Sequence, residues 1–226
     1  NMVPPAPLVL ACSPPIAPSL VAVLADDAGI AIAVGCESSV SIHSAQLGAV
    51  QQLLGPHLAP VCCLSWCRSH SLLAVGAGER VILYRATHAT PGLRAFTQVA
   101  EVGHGEEVSV IDWSTLHDLP VLWSAAKSLL LWSASDGGSD WRVVWRRALS
   151  QTVRLIAASA DGMLLATAGT HDRMLKVWTL RSSHDEHGGH EGPPQPSAAA
   201  SDFTFCYLRH PRALTSVEWR PAAWRP

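Results

Sequence analysis

The feature that most restricts how this chain can fold is a repeat. Four stretches read alike: LVAVLADDAGIAIAVGCESSVSIHS from Leu20, VCCLSWCRSHSLLAVGAGERVILYRA from Val61, VSVIDWSTLHDLPVLWSAAKSLLLWSA from Val108 and VRLIAASADGMLLATAGTHDRMLKVWTL from Val153. Each holds a short apolar run, a polar turn, a second run ending in small residues, another turn, and a third run ending near an aromatic. Trp66 and Trp113 are 47 residues apart, Tyr84 and Trp132 are 48 apart, and Trp132 and Trp178 are 46 apart. A period of this size holding four short strands is that of a β-propeller blade. The runs are rich in Val, Leu, Ile and Ala, as strands buried between stacked sheets should be. A fourth strand per blade is expected at residues 51–54, 96–102, 141–147 and 203–208. In residues 141–147, Trp141, Val143 and Trp145 alternate with Arg142 and Arg146, which predicts one buried and one wetter face. A fifth copy opens with LTSVEWR at Leu214 and contributes one strand. The expected fold is therefore all-β, four blades plus the first strand of a fifth, in an incomplete ring. Residues 1–19 form a Pro-rich N-terminal segment and residues 20–226 the partial propeller. Residues 181–202, rich in Ser, His, Gly and Pro, read as a mobile insertion within the fourth blade.

Composition agrees with a domain buried on several faces. Hydrophobic residues make up 48% of the chain and charged residues 15%, which excludes a disordered chain. The formal charge of −2 supplies no basic field for nucleic acid, so none is expected as a partner. The most apolar stretch is broken by Pro4, Pro5, Pro7, Pro14, Pro15 and Pro18 and then by Asp26 and Asp27, so no membrane insertion is expected. The first positive residue is Arg68, unlike a signal peptide. The six cysteines, Cys12, Cys36, Cys62, Cys63, Cys67 and Cys206, then read as reduced thiols of a cytoplasmic protein. The chain begins with Asn1, as a fragment would.

Gly103-His104 precedes the strand that ends at Trp113, which is the Gly-His position of a WD repeat. Trp66, Trp113, Trp132, Trp178 and Trp219 fall at the repeat's tryptophan positions. In such repeats a His, a Ser or Thr, a Trp and an Asp can join in one hydrogen-bonded network. His57, His104 and His210 fall at the His position; Thr167, Asp172 and Trp178 fall at the others in the fourth blade, which has no matching His. The usual Asp after the closing Trp is Thr179. Two longer strings, ADGMLLATAGTHDRMLKVW and FTFCYLRHPRALTSVEWR, resemble the N-terminal propeller of the rabconnectin/DmX-like family, as does WRVVWRRALSQTVRLIAAS before them. The resemblance covers residues 113–219 closely and the earlier residues only in general pattern. Ala158 departs from it, standing where an aromatic is usual.

The resemblance implies a non-catalytic WD scaffold that binds V-ATPase subunits and the other members of the assembly complex, and promotes proton-pump assembly and organelle acidification. It would be cytoplasmic and peripheral on endosomal, vacuolar or vesicle membranes. A rival reading is a generic WD adaptor in ubiquitin-ligase or vesicle-trafficking complexes; a third is a metal-dependent or hydrolytic enzyme. His184, His187 and His190, beside Asp185, Glu186 and Glu191, could hold Zn²⁺. They form one cluster with no second ligand group and with Gly188-Gly189 inside it, so the balance favours a solvated loop and no metal or other cofactor. Cys62, Cys63 and Cys67 lack paired C-x-x-C spacing and read as core residues. No Gly-x-Ser-x-Gly elbow and no phosphate loop occurs, so no catalytic residue is assigned. Arg142, Arg146 and Arg147 could meet an anionic partner, although charges on an outer strand more often protect its edge.

Overall fold

A computed structural model describes residues 20–26, 29–44, 50–53, 59–90, 93–134, 140–169, 171–181 and 203–219. The chain divides into two units, Asn1–Val108 and Ser109–Pro226. The first holds two four-stranded antiparallel sheets, each in chain order. One is β1 (Val21–Asp26), β2 (Gly29–Cys36), β3 (Ser39–Ser44) and β4 (Val50–Leu53); the other is β5 (Val61–Cys67), β6 (Leu72–Ala77), β7 (Arg80–Thr90) and β8 (Leu93–Gly103). The second unit holds β9 (Val110–Leu116), β10 (Leu119–Ala125), β11 (Ser128–Ala134) and β12 (Trp141–Ala148). Its other sheet is β13 (Val153–Ala158), β14 (Leu164–Gly169), β15 (Met174–Leu180) and β16 (Phe203–Arg209). These are WD-repeat propeller blades. The apolar runs form inner strands because they are covered on both faces: every residue of β6, LLAVGA, is buried. The outer strand of the fourth sheet shows the opposite, with only Phe203 buried in β16.

Each unit is stitched across its sheets by the residue that opens an inner strand. In the first unit, the Val61 amide donates to the Glu37 carbonyl. Leu24, Ala33, Val40, Trp66, Leu73 and Val75 pack together across the two sheets. In the second, the Val153 amide donates to the Ala126 carbonyl at 2.9 Å, and Leu129, Leu131, Trp123, Leu165, Trp178 and Phe203 share one core. Ser109 reinforces that seam. Its hydroxyl lies 2.7 Å from the Ala125 carbonyl oxygen and 2.5 Å from that of Val153. Cys62 holds the equivalent place, four residues before its tryptophan, and its Sγ lies 3.2 Å from the Gly76 carbonyl oxygen and 2.8 Å from that of Val108. Contact with the Cys62 thiol, then burial, holds Cys63 well above the usual thiol range, and burial raises Cys67. These thiols sit in the sheet as small core groups.

Two expectations are corrected. Residues 214–219 are not a strand, because they find no strand to ladder with among the described residues. They are held instead by the Leu214 amide on the Asp172 carbonyl at 2.9 Å and the Trp219 indole N–H on the Ala157 carbonyl at 2.7 Å. The alternation expected of β12 also fails. The register shifts so that Leu131 faces Trp145 while Trp132 faces Val143, leaving Val144 as an extra residue. Such a bulge swaps faces beyond it. Trp141 therefore packs edge-on against Trp113, at 5.6 Å between centroids. Trp145 turns to the other face, against Trp123, Trp178 and Phe203, and Val143 is left 42% exposed. Trp66, in contact with Phe96, is the one tryptophan that precedes Ser109; the other eight of the nine follow it.

Candidate functional site

In the two sheets of the second unit a tryptophan on the third strand is tied to a hydroxyl on the second. The indole N–H of Trp178 on β15 donates to Thr167 Oγ1 on β14 at 3.0 Å. The same pair recurs in the third sheet, where Trp132 on β11 donates to Ser124 Oγ on β10 at 2.7 Å. Sequence reasoning singled out Thr167 and passed over Ser124. Its signal was the same diagonal, since Trp178 lies opposite Leu165 and Trp132 opposite Leu122, each two residues from the hydroxyl. Tyr84 stands in the tryptophan's place in the second sheet, facing Leu73, and the hydroxyl position two residues on is Val75. Replacing Ser124 by Ala is expected to cost about 1–3 kcal/mol, because it leaves a fully buried indole N–H without its acceptor. Urea melts of the two proteins check this; an unchanged midpoint would show that the bond contributes nothing.

The remaining positions scatter. His57, His184, His187 and His190 lie outside the described residues. His104 is buried, and its amide donates to the Glu79 carbonyl at 2.8 Å. His210 is exposed, with Nδ1 2.9 Å from the Arg212 carbonyl oxygen. Asp172 does not reach Thr167 or Trp178 by a direct bond; its Oδ2 accepts the Gly169 amide at 2.8 Å and closes the β14–β15 turn. Asp112 is a link the sequence reading did not foresee. Its Oδ1 accepts the Trp113 amide at 2.9 Å and its Oδ2 the Ala158 amide at 2.8 Å, so one carboxylate bridges β9 and β13. Ser159 and Asp161 close the β13–β14 turn: the Ser159 hydroxyl donates to Asp161 Oδ1 at 2.6 Å and the Met163 amide to the same oxygen at 3.0 Å. Those two bonds hold the Asp161 carboxyl below its ordinary range.

Where the fourth sheet has no His of its own, the connection from β12 to β13 runs through Leu149, Ser150, Gln151 and Thr152. A cleft of about 510 Å³ opens there, between the end of β12 and the face of β14, β15 and β16. Its lining includes Arg147 of β12, Thr167 of β14, Asp172 of the β14–β15 turn, Met174 and Lys176 of β15 and Tyr207 of β16. One face of β15 and β16 supplies an aromatic rail, because Trp178 pairs with Phe205 and Lys176 with Tyr207 in register. The Lys176 ammonium sits 3.6 Å from the Phe205 ring centroid, 3.9 Å from that of Trp178 and 5.7 Å from that of Tyr207. Cation–π attraction favours this placement. Burial, and then the nearby Arg147 charge, lower the Lys176 pKa from its ordinary value. Phe205 and Tyr207 remain 42% and 55% exposed. Among the described residues no group of His, Cys, Asp and Glu could hold a metal ion. No helix among them is long and apolar enough to cross a membrane.

Comparison with known proteins bears on the same stretch. Residues 147–179 match the WD domain, G-beta repeat family. Over 88 residues the chain is 39% identical to DmX-like protein 1 of Homo sapiens, a match covering 36% of this chain and 3% of that protein. The Mus musculus DmX-like protein 1 is 35% identical over 88 residues, with the same coverage. The match thus spans only about 3% of the length of these curated relatives. Among solved structures, Chaetomium thermophilum Sqt1 bound to the N-terminus of the ribosomal protein L10 aligns with a TM-score of 0.56 and 21% identity. That alignment covers 71% of this chain and 45% of that one. Sqt1 from the same organism solved separately gives a TM-score of 0.57 at 20% identity, over 71% and 43% of the two chains. At these identities the likeness is one of fold.

Proposed function

Because this chain carries WD repeats of the DmX-like/rabconnectin kind, we propose that it is a non-catalytic scaffold segment that binds V-ATPase subunits and serves the assembly of the proton pump. The observation that carries this reading is the 88-residue match to DmX-like protein 1. The fold supports it in a second way. Propeller blades expose loops and outer strands on a rigid framework, and such surfaces suit the binding of other proteins. Sqt1, a propeller of similar fold, holds the N-terminal segment of another protein. The scaffold would act in the cytoplasm, peripherally on endosomal, vacuolar or vesicle membranes, with residues 20–226 as its propeller portion, residues 1–19 as a Pro-rich lead and residues 181–202 as an insertion. The tryptophan–hydroxyl pairs, together with the Gly-His and Asp positions, would serve blade stability and not chemistry.

Affinity capture from native lysate with the full 226-residue chain tests the reading. V-ATPase subunits are expected in the catch. Ubiquitin-ligase or coat subunits in their place would overturn it in favour of a generic WD adaptor.

A further inference from the structure

The cleft beside β12 holds more positive charge than its own residues neutralise. Arg147 is exposed at the end of β12, Lys176 stands on the aromatic rail, and both line the cleft. Arg142 and Arg146 lie on the same outer strand, exposed. Among the described residues neither Arg147 nor Lys176 forms an ion pair with a carboxylate. Among the described residues the one carboxylate lining the cleft, Asp172, is turned into its own loop to cap Gly169. Two cations that repel each other across a partly desolvated space are stabilised by any anion that enters it.

The walls narrow what that anion can be. The rings of Phe205 and Tyr207 lie open beside Lys176, and the connection of residues 149–152 brings a second, polar wall that can meet a peptide backbone. A volume of about 510 Å³ suits a few side chains. It does not form the continuous basic track that a polyphosphate backbone follows.

We propose that this cleft is a docking groove for an acidic peptide segment of a partner protein, its carboxylates pairing with Arg147 and Lys176 and its chain lying along Phe205 and Tyr207. This deepens the scaffold reading and rests on its premise that the chain binds proteins. Arg147 presents a planar fork that a carboxylate meets with two parallel bonds. Lys176, already held over its rings, adds a second charge whose desolvation the fold has met in advance. The partner thus needs acidic residues next to an apolar or aromatic one, and a neutral copy of the same segment binds poorly.

Fluorescence anisotropy with the full 226-residue chain tests this, using a fluorescein-labelled peptide of Glu, Gly and Tyr. The controls are the same peptide with Gln for each Glu and an oligothymidylate of equal charge. Saturable micromolar binding to the Glu peptide is expected, weakening about tenfold for the Gln peptide and again as salt rises. The double variant Arg147→Gln with Lys176→Gln should lose about tenfold, whereas Arg68→Gln, on the other unit, should lose nothing. Arg147→Gln alone touches no packed ring, so it should weaken binding several-fold while the circular dichroism stays that of the parent. Equal binding of the oligothymidylate, binding indifferent to both variants, or no saturable binding would each overturn the proposal. The outcome separates cleanly from the parent reading. V-ATPase subunits captured without peptide binding would sink the groove alone, and peptide binding with no such subunits captured would sink the assembly role and leave the groove.

Discussion

Replacing Trp178 by Ala is expected to lower the stability of the fold by about 3–5 kcal/mol, the range seen when a large aromatic is deleted from a packed core. Trp178 is 1% exposed. Its ring packs edge-on against Trp145 at 5.7 Å and tilted against Phe205 at 5.1 Å. Its N–H is held by Thr167, and Lys176 rests on its face. The substitution therefore opens a cavity, strips the Thr167 hydroxyl of its donor and removes a ring from beneath a half-buried ammonium. Trp178→Phe separates these effects: it keeps most of the ring and loses the N–H, so its cost should be about 1–2 kcal/mol. Denaturant melts followed by far-ultraviolet circular dichroism measure both. A loss below about 1 kcal/mol for the Ala variant would contradict the burial of the ring.

Gly162→Ala should be nearly as damaging, at about 2–4 kcal/mol, although it adds a single methyl group. Two causes act together. Gly162 sits at φ +72°, where a side chain costs about 1–2 kcal/mol. A methyl there would also stand 2.7 Å from the Thr115 carbonyl oxygen of the neighbouring sheet. That oxygen belongs to a residue whose own amide and hydroxyl both donate to the Ala160 carbonyl, at 3.2 and 2.6 Å. Relief of the clash thus pulls β9 away from the turn that anchors it. Gly105 offers the control, since it has φ +82° and nothing within 4 Å of an added methyl. Gly105→Ala should cost only the strain, about 1 kcal/mol. Equal losses from the two variants would show that the approach to Thr115 carries no energy.

The blades were legible because the closing aromatics and the apolar runs recur at one period. Strands at residues 96–102, 141–147 and 203–208 were expected, and the structure has them as Leu93–Gly103, Trp141–Ala148 and Phe203–Arg209. The phase of β12 was not legible, since nothing in WRVVWRRA tells which of two adjacent valines is the extra one; the ladder with β11 decides it. Residues 214–219 have the composition of a strand, but a strand is a property of two segments and composition describes one. The Thr167–Trp178 pair could be foreseen from the repeat. The rail of Lys176, Phe205 and Tyr207 could not, because it depends on pairing β15 with β16 across residues 181–202. The matched places of Cys62 and Ser109 were visible in the repeat alignment; a thiol and a hydroxyl filling one role is apparent only from the carbonyls they reach.

The uneven placement of the tryptophans has a consequence for anyone who shines light on this protein. With eight of the nine after residue 108, its intrinsic emission is almost entirely a report on Ser109–Pro226. Within that unit the Trp145 ring centroid lies 5.9 Å from that of Trp123 and 5.7 Å from that of Trp178, close enough to exchange excitation, so their spectra are collective. Asn1–Val108 speaks through Trp66 alone. A fluorescence trace is in effect a recording of one half of the chain, and the other half is heard only by methods that follow the backbone.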